Sequence, residues 1–283
     1  MRVVRTRAEL RDALSAAARP VGLVPTMGWL HDGHRSLMQR ARADNPTTIA
    51  TIFVNPRQFN EAADFQQYPR DEARDLAICE EEGLDLVFAP SVEEVYPEGF
   101  DTLVTVGAVS RPLEGAARPG HFDGVATVVA ILFNLVGAEH AYFGQKDAQQ
   151  VMVIRRMTLD LAIATEVIAC PTVRETDGLA LSSRNVHLTP EQRAAAPVLH
   201  RALTRARERW EAGERSAEAL RETMRAELAS EPLADVDYVS VADGTTLAEA
   251  DVVDGPALLS LAVRFGTTRL IDNEPLGAHP ATS

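Results

Sequence analysis

Short apolar runs that alternate with amphipathic helical stretches constrain this chain more than any other feature. Val21 to Thr26 (VGLVPT), Thr47 to Val54 (TTIATIFV), Leu84 to Ala89, His140 to Phe143 and Ala164 to Ala169 each have the length and composition of a buried strand. Between them, Gly33 to Ala43, Asp71 to Glu82, Val125 to Val136 and Asp147 to Leu161 read as helices. Ahead of them, Thr6 and Glu9 make a capping box that opens a helix ending before Pro20. The alternation predicts an α/β fold, a parallel sheet with helices on both faces.

After Asn185 the pattern changes. Two polar helices, about Pro190 to Ala212 and Ser216 to Ala229, precede strands at Val236 to Val241, Ala257 to Val263 and Arg269 to Ile271. That order predicts a smaller α+β domain, with the boundary near Val173, so that 1–173 and 174–283 form the two parts. A length of 283 residues accommodates both.

Composition excludes several functions. With 46% hydrophobic and 24% charged residues, the chain reads as soluble and globular. A formal charge of −13 argues against nucleic acid or an anionic membrane as partner, so an anionic substrate needs a local cationic pocket or a metal. The N-terminus has scattered charges and no apolar core of a signal peptide, and Val125 to Val136 is too short to span a bilayer. Cys79 and Cys170 are distant and read as buried structural thiols. These features predict a cytoplasmic protein.

Pro25-Thr-Met-Gly-Trp-Leu-His31-Asp-Gly33-His34 carries the most chemistry. It lies where the first apolar strand hands over to a helix, the crevice position of an open α/β sheet. A helix N-terminus offers unpaired N–H groups and partial positive charge to a phosphate. Gly28 and Gly33 allow close backbone approach, and two histidines three residues apart can both donate to one triphosphate. From the His and Gly content, a chance HxGH arises roughly once in a hundred such chains. The plain alternative is a turn whose histidines are merely solvated. A zinc site lacks a third ligand, and neither GxxxxGK[ST] nor GxGxxG occurs.

Three further clusters follow. Phe53-Val-Asn55-Pro-Arg57-Gln58-Phe59 ends the second strand, and the neutral amides of Asn55 and Gln58 suit a hydroxyl and a carboxylate. Phe143-Gly144-Gln145-Lys146-Asp147-Ala148-Gln149-Gln150 is another strand-to-helix turn, with Lys146 as a point charge for phosphate and Asp147 as a helix cap. Asp177-Gly-Leu-Ala-Leu181-Ser182-Ser183-Arg184-Asn185 is a polar loop whose hydroxyls and guanidinium can clamp a polyphosphate. Each has a bland reading as a turn or helix stop.

Taken in order, PTMGWLHDGH, FVNPRQF, FGQKDAQQ and DGLALSSRN, with LEGAARPGHFDGV (Leu113 to Val125) and TTRLIDN (Thr267 to Asn273), closely resemble the pantothenate synthetases of the HIGH-motif nucleotidyltransferase superfamily. The resemblance spans nearly the whole chain. It implies a Rossmann-like domain with a C-terminal lid domain, a homodimer, and ATP-dependent joining of pantoate to β-alanine through a pantoyl adenylate, releasing AMP and pyrophosphate. Met27, Gly28, Trp29, Leu30, His31, Asp32, Gly33 and His34 would form the ATP-binding segment, His34 being the usual catalytic histidine with His31 beside it. Gly144, Gln145, Lys146, Asp147, Val173, Leu181, Ser182, Ser183 and Arg184 would complete the nucleotide contacts. Gln58 and Gln150, with Asn55, would hold pantoate, and Asp75 would contact Mg²⁺ through water. Gln145, Ala148 and Arg57 depart from the family's usual Glu, aromatic and apolar residues, which bears on packing around Lys146 and at the entrance near Gln58.

A carboxylate is a poor electrophile until converted to a mixed anhydride with AMP. Positioning and charge stabilisation by His31, His34, Lys146, Ser182, Ser183, Arg184 and Mg²⁺ would serve that step. The rival readings are a nucleotidylyltransferase with a phosphate acceptor, which calls for a more basic pocket than Gln58 and Gln150 provide, and a non-catalytic nucleotide sensor, which need not keep Lys146 and both histidines.

Overall fold

The structure is a computed structural model that describes residues 1–60 and 62–277. It divides into two compact units, Met1–Pro171 and Thr172–Ser283, a division two residues ahead of the one read from the sequence.

The first unit holds six strands: β1 (Arg2–Val4), β2 (Val21–Thr26), β3 (Thr47–Ile52), β4 (Leu86–Phe88), β5 (His140–Gly144) and β6 (Glu166–Cys170). They lie in the order β1-β4-β3-β2-β5-β6, every pair parallel. The helices are α1 (Arg7–Ser15), α2 (Asp32–Asp44), α3 (Ala62–Gln67), α4 (Glu72–Glu81), α5 (Val92–Val95), α6 (Glu114–Ala117), α7 (His121–Val136) and α8 (Ala148–Asp160). The expected parallel sheet with helices on both faces is present. β1 went unread in the sequence, because three residues with two exposed side chains carry no periodic signal; its pairing with β4 defines it.

Side chains alternate across the sheet as a two-residue period requires. Leu23, Ile49, Phe88, Ala141 and Phe143 enter one apolar cluster together with α7 and α8 residues such as Val125, Val129 and Ile154. Val24, Ala50, Val87 and Tyr142 enter another with Leu37, Met38 and Ile78 of α2 and α4. α7 is the apolar stretch of the sequence, and twelve of its residues are buried; among the described residues no helix is long and apolar enough to cross a membrane. Cys79 and Cys170 are both buried in the α2/α4 cluster, unbonded to each other. Neighbours in strand order diverge in sequence between β2 and β5, and the crevice beyond their carboxyl ends is where an open sheet of this kind binds ligands.

In the second unit, α9 (Pro190–Ala195), α10 (Val198–Glu211) and α11 (Ala217–Ala229) accompany an antiparallel sheet of β7 (Asp235–Asp243), β8 (Ala257–Phe265) and β9 (Thr268–Leu276). The single helix expected over Pro190 to Ala212 is two, broken where Pro197 removes a backbone donor. Leu199, Leu203, Leu220 and Met224 pack with Leu259, Leu261 and Val263 to form its core.

Candidate active site

The histidine turn runs from the carboxyl end of β2 into α2. His31 is the N-cap residue: its Nδ1 accepts from the Gly33 N–H at 3.1 Å, while His34 Nδ1 accepts from the His31 N–H at 3.3 Å. This is a capping box built from two imidazoles. A ring nitrogen that accepts carries no proton, so each neutral ring keeps its proton on Nε2, as a donor. Burial, with Lys146 second, pushes His31 down to about 4. Burial, with His31 second and Lys146 a further contributor, pushes His34 down to about 3. Both are neutral at physiological pH. The positive charge of Lys146, on the turn after β5, contributes to both shifts.

The turn itself is unusual in backbone. Gly28 has φ +81° and Trp29, with a side chain, has φ +51°. A Cβ at position 28 would stand 2.8 Å from Asp75 Oδ2, so glycine serves both the angle and the approach. Asp75, on α4, is 1% exposed and accepts from the N–H groups of Trp29 at 2.7 Å and Leu30 at 2.8 Å. Arg74 donates to the Leu30 carbonyl at 2.8 Å and lies over the Trp29 ring. Leu30, read as an ATP contact, has a fully buried side chain, and both its backbone polar groups are engaged.

Beyond β3, Asn55 caps the short 3-10 turn Pro56–Gln58. Asn55 is 1% exposed, and its amide makes four bonds: Nδ2 donates to Gln58 Oε1 and to the Gly124 carbonyl, both at 3.1 Å, and Oδ1 accepts from Arg57 N–H and from Tyr96 Oη. That exhausts the amide. Asn55, read as a substrate contact, directs one of these four bonds to the Gln58 side chain. Gln58 Nε2 reaches Met27 Sδ at 3.0 Å, linking this turn to the histidine turn. The Gln58 carbonyl is held in turn by His121 Nδ1 at 2.8 Å and by Arg118. α7 approaches so closely that a Cβ on Gly124 would lie 2.2 Å from the Arg57 carbonyl oxygen. Arg57 lies over the Tyr96 and Phe100 rings, at 4.8 and 4.7 Å, which accommodates its departure from an apolar residue.

After β5, Gln145–Asp147 form a 3-10 turn leading into α8. Asp147 occupies the cap position without a cap hydrogen bond, contrary to expectation; its Oδ1 lies 3.5 Å from Lys146 Nζ. The last two glutamines of the motif divide. Gln149 is buried and bonded to the backbone of Val109, Pro112 and Glu114, whereas Gln150 is only partly buried. Ala148, read above as a departure from the family's usual residue, is buried.

Val173 and Leu181–Arg184 belong to the second unit. The Leu181 N–H donates to the Val173 carbonyl, Ser182 Oγ caps the turn Ser183–His187, and Arg184 is exposed. Arg174 braces this loop, donating to the Gly178 carbonyl and in bidentate fashion to Asp272 of β9, at 2.6 and 3.0 Å.

The profile of the pantoate-beta-alanine ligase family matches residues 2–275. The chain belongs to that family. Its resemblance to pantothenate synthetases, carried by the motifs, is thereby established. A pantothenate synthetase from Roseiflexus sp. strain RS-1 is 62% identical over 273 residues, covering 96% of this chain and 98% of that one. The crystal structure of pantothenate synthetase from Thermus thermophilus superposes with a TM-score of 0.92 at 51% identity, covering 97% of this chain and 99% of the other. That of a pantoate-beta-alanine ligase from Francisella tularensis, complexed with beta-gamma ATP and beta-alanine, gives 0.80 at 32% identity, with 97% of each covered. For this ligase family the histidine turn was legible in sequence. Arg118, His121, Gln149 and Tyr96 were not assigned, although all but Tyr96 stand in quoted motifs; the first three hold backbone and Tyr96 holds the Asn55 amide, which no motif spells out.

Proposed function

We propose that the chain condenses pantoate with β-alanine in two steps on one site, using ATP. A pantoate carboxylate oxygen attacks the α-phosphorus of ATP, and pyrophosphate leaves with the bond electrons. The β-alanine amine, as free base, then attacks the acyl carbon of the pantoyl adenylate; AMP leaves with the electron pair of the C–O bond, and the amine proton passes to solvent. The observation that carries this reading is the pair of neutral imidazoles at the α2 N-terminus, each with its proton on Nε2, in the field of Lys146. Two neutral donors and one cation suit a phosphorus centre that gains negative charge in the transition state.

Gln58, set by Asn55, Arg118 and His121, and Gln150 are the proposed pantoate contacts. Ser182, Ser183 and Arg184 are the proposed polyphosphate clamp. Mg²⁺ bound by ATP would neutralise phosphate charge. The residues do not fit a resident metal: among those described no group of three His, Cys, Asp or Glu is placed to hold one, and both oxygens of Asp75 accept backbone N–H groups. The same reading makes the protein a cytoplasmic homodimer.

The test is exchange of labelled pyrophosphate into ATP. It should require pantoate and proceed without β-alanine. Exchange that needs β-alanine would exclude the adenylate, and exchange with a phosphorylated acceptor in place of pantoate would favour nucleotidyl transfer.

A further inference from the structure

We infer that Asp75 is a positioning residue for the histidine turn and not a contact for a divalent cation. The inference rests on the proposal that this turn serves the reacting phosphate. Successive N–H groups around a left-handed residue form a concave nest that binds anions. Here the nest at Trp29 and Leu30 is already filled: Asp75 places Oδ2 on the first N–H and Oδ1 on the second, from a helix 45 positions away in sequence. The carboxylate offsets the cost of a left-handed tryptophan beside a left-handed glycine, a conformation that L side chains disfavour.

α4 presents this carboxylate rigidly. Asp71 Oδ1 accepts from the Arg74 N–H at its N-terminus, and Arg74 grips the same turn through the Leu30 carbonyl. Leu30 leads directly into His31, whose own N–H donates to His34 Nδ1. A shift of the turn therefore moves both imidazoles. A hydrated cation, by contrast, would find a carboxylate 1% exposed, bonded at both oxygens, with Arg74 Nη1 at 3.6 Å.

Asp75→Asn and Asp75→Glu separate the two roles. The amide can accept only one of the two bonds, and the longer acid keeps its charge but cannot place both oxygens on adjacent N–H groups. Each should lower kcat for pyrophosphate exchange by roughly ten- to a hundredfold, the scale of a reacting group misplaced by about 1 Å. The Mg²⁺ concentration for half-maximal rate should stay within about twofold of wild type. Nitrogen-15 spectra should show His31 and His34 leaving the single Nε2–H tautomer, a change that general loosening of α4 would not produce. Should Asp75→Asn prove too unstable to assay, Trp29→Gly/Asp75→Asn, which relaxes the left-handed backbone, is read in the same way. A raised Mg²⁺ requirement with kcat recovered at high Mg²⁺, or unchanged kcat and tautomers, overturns the inference. Loss of pantoate-dependent exchange in the wild type would instead remove the functional reading, and the histidine spectra would still decide the structural claim.

Discussion

His31 donates its backbone N–H to the His34 ring while its own ring accepts from the Gly33 N–H, which leaves the two ring centroids 4.2 Å apart. Neither Nδ1 has a lone pair left for a proton, and burial disfavours charge on either ring. The unfolded chain titrates its histidines near 6.5, whereas the folded pair sits at about 4 and 3. Between these values the unfolded state binds more protons, so stability rises with pH up to about 6.5 and is lost as pH falls through that window. Thermal melts from pH 7 to pH 5 should show a fall that is shallower in His34→Asn. An exchange-rate profile with a histidine ionisation near 6.5 assigned to either ring would contradict the neutral pair.

Gln58→Ala and Gln150→Ala should each weaken pantoate use by about 1–3 kcal/mol, the scale of a buried hydrogen-bond partner left alone. ATP affinity should be nearly unaffected. Asn55→Ala should damage pantoate use as well, but with a lowered melting temperature, because four internal bonds are lost at a buried position. Equal loss of ATP affinity in both glutamine variants, read by titration, would move them out of the pantoate site.

The proposed clamp loop and its brace should separate stability from activity. Arg184 is exposed, so Arg184→Ala should depress adenylate formation while the apo melt stays within about a degree, as for surface substitutions generally. Asp272→Ala leaves the largely buried Arg174 without its bidentate partner and should cost roughly 3 kcal/mol. Calorimetry of the two variants checks this, and a large drop in Arg184→Ala would mean the loop is structural.

Lys146 and His34 differ in kind. Lys146 is positive in ground and transition states alike, so Lys146→Ala should raise the ATP Kd and reduce turnover together. His34 donates as a neutral ring, and His34→Ala should reduce turnover by roughly a hundredfold or more with ATP binding largely retained, as for one lost oxyanion donor. Single-turnover adenylation with ATP titrated distinguishes them. Wild-type rates in His34→Ala at saturating ATP would make the turn a binding element only.

Local order determined what could be read from sequence. Apolar runs placed β2 to β6, Thr6 and Glu9 announced the first cap, and the spacing of His31, Gly33 and His34 marked a helix start suited to phosphate. Such signals lie within a few residues of one another, and side-chain chemistry specifies them. Tertiary structure decided the partners of backbone groups. Every residue offers nearly the same N–H and C=O, so no motif could tell that Asp75 belongs to Trp29 and Leu30, that Arg118 and His121 belong to the Gln58 carbonyl, or that Asn55 spends its amide internally. Those bonds form only when segments far apart in the chain are laid side by side. The candidate site groups were thus written in the sequence, while the residues that hold them in place became visible in the fold.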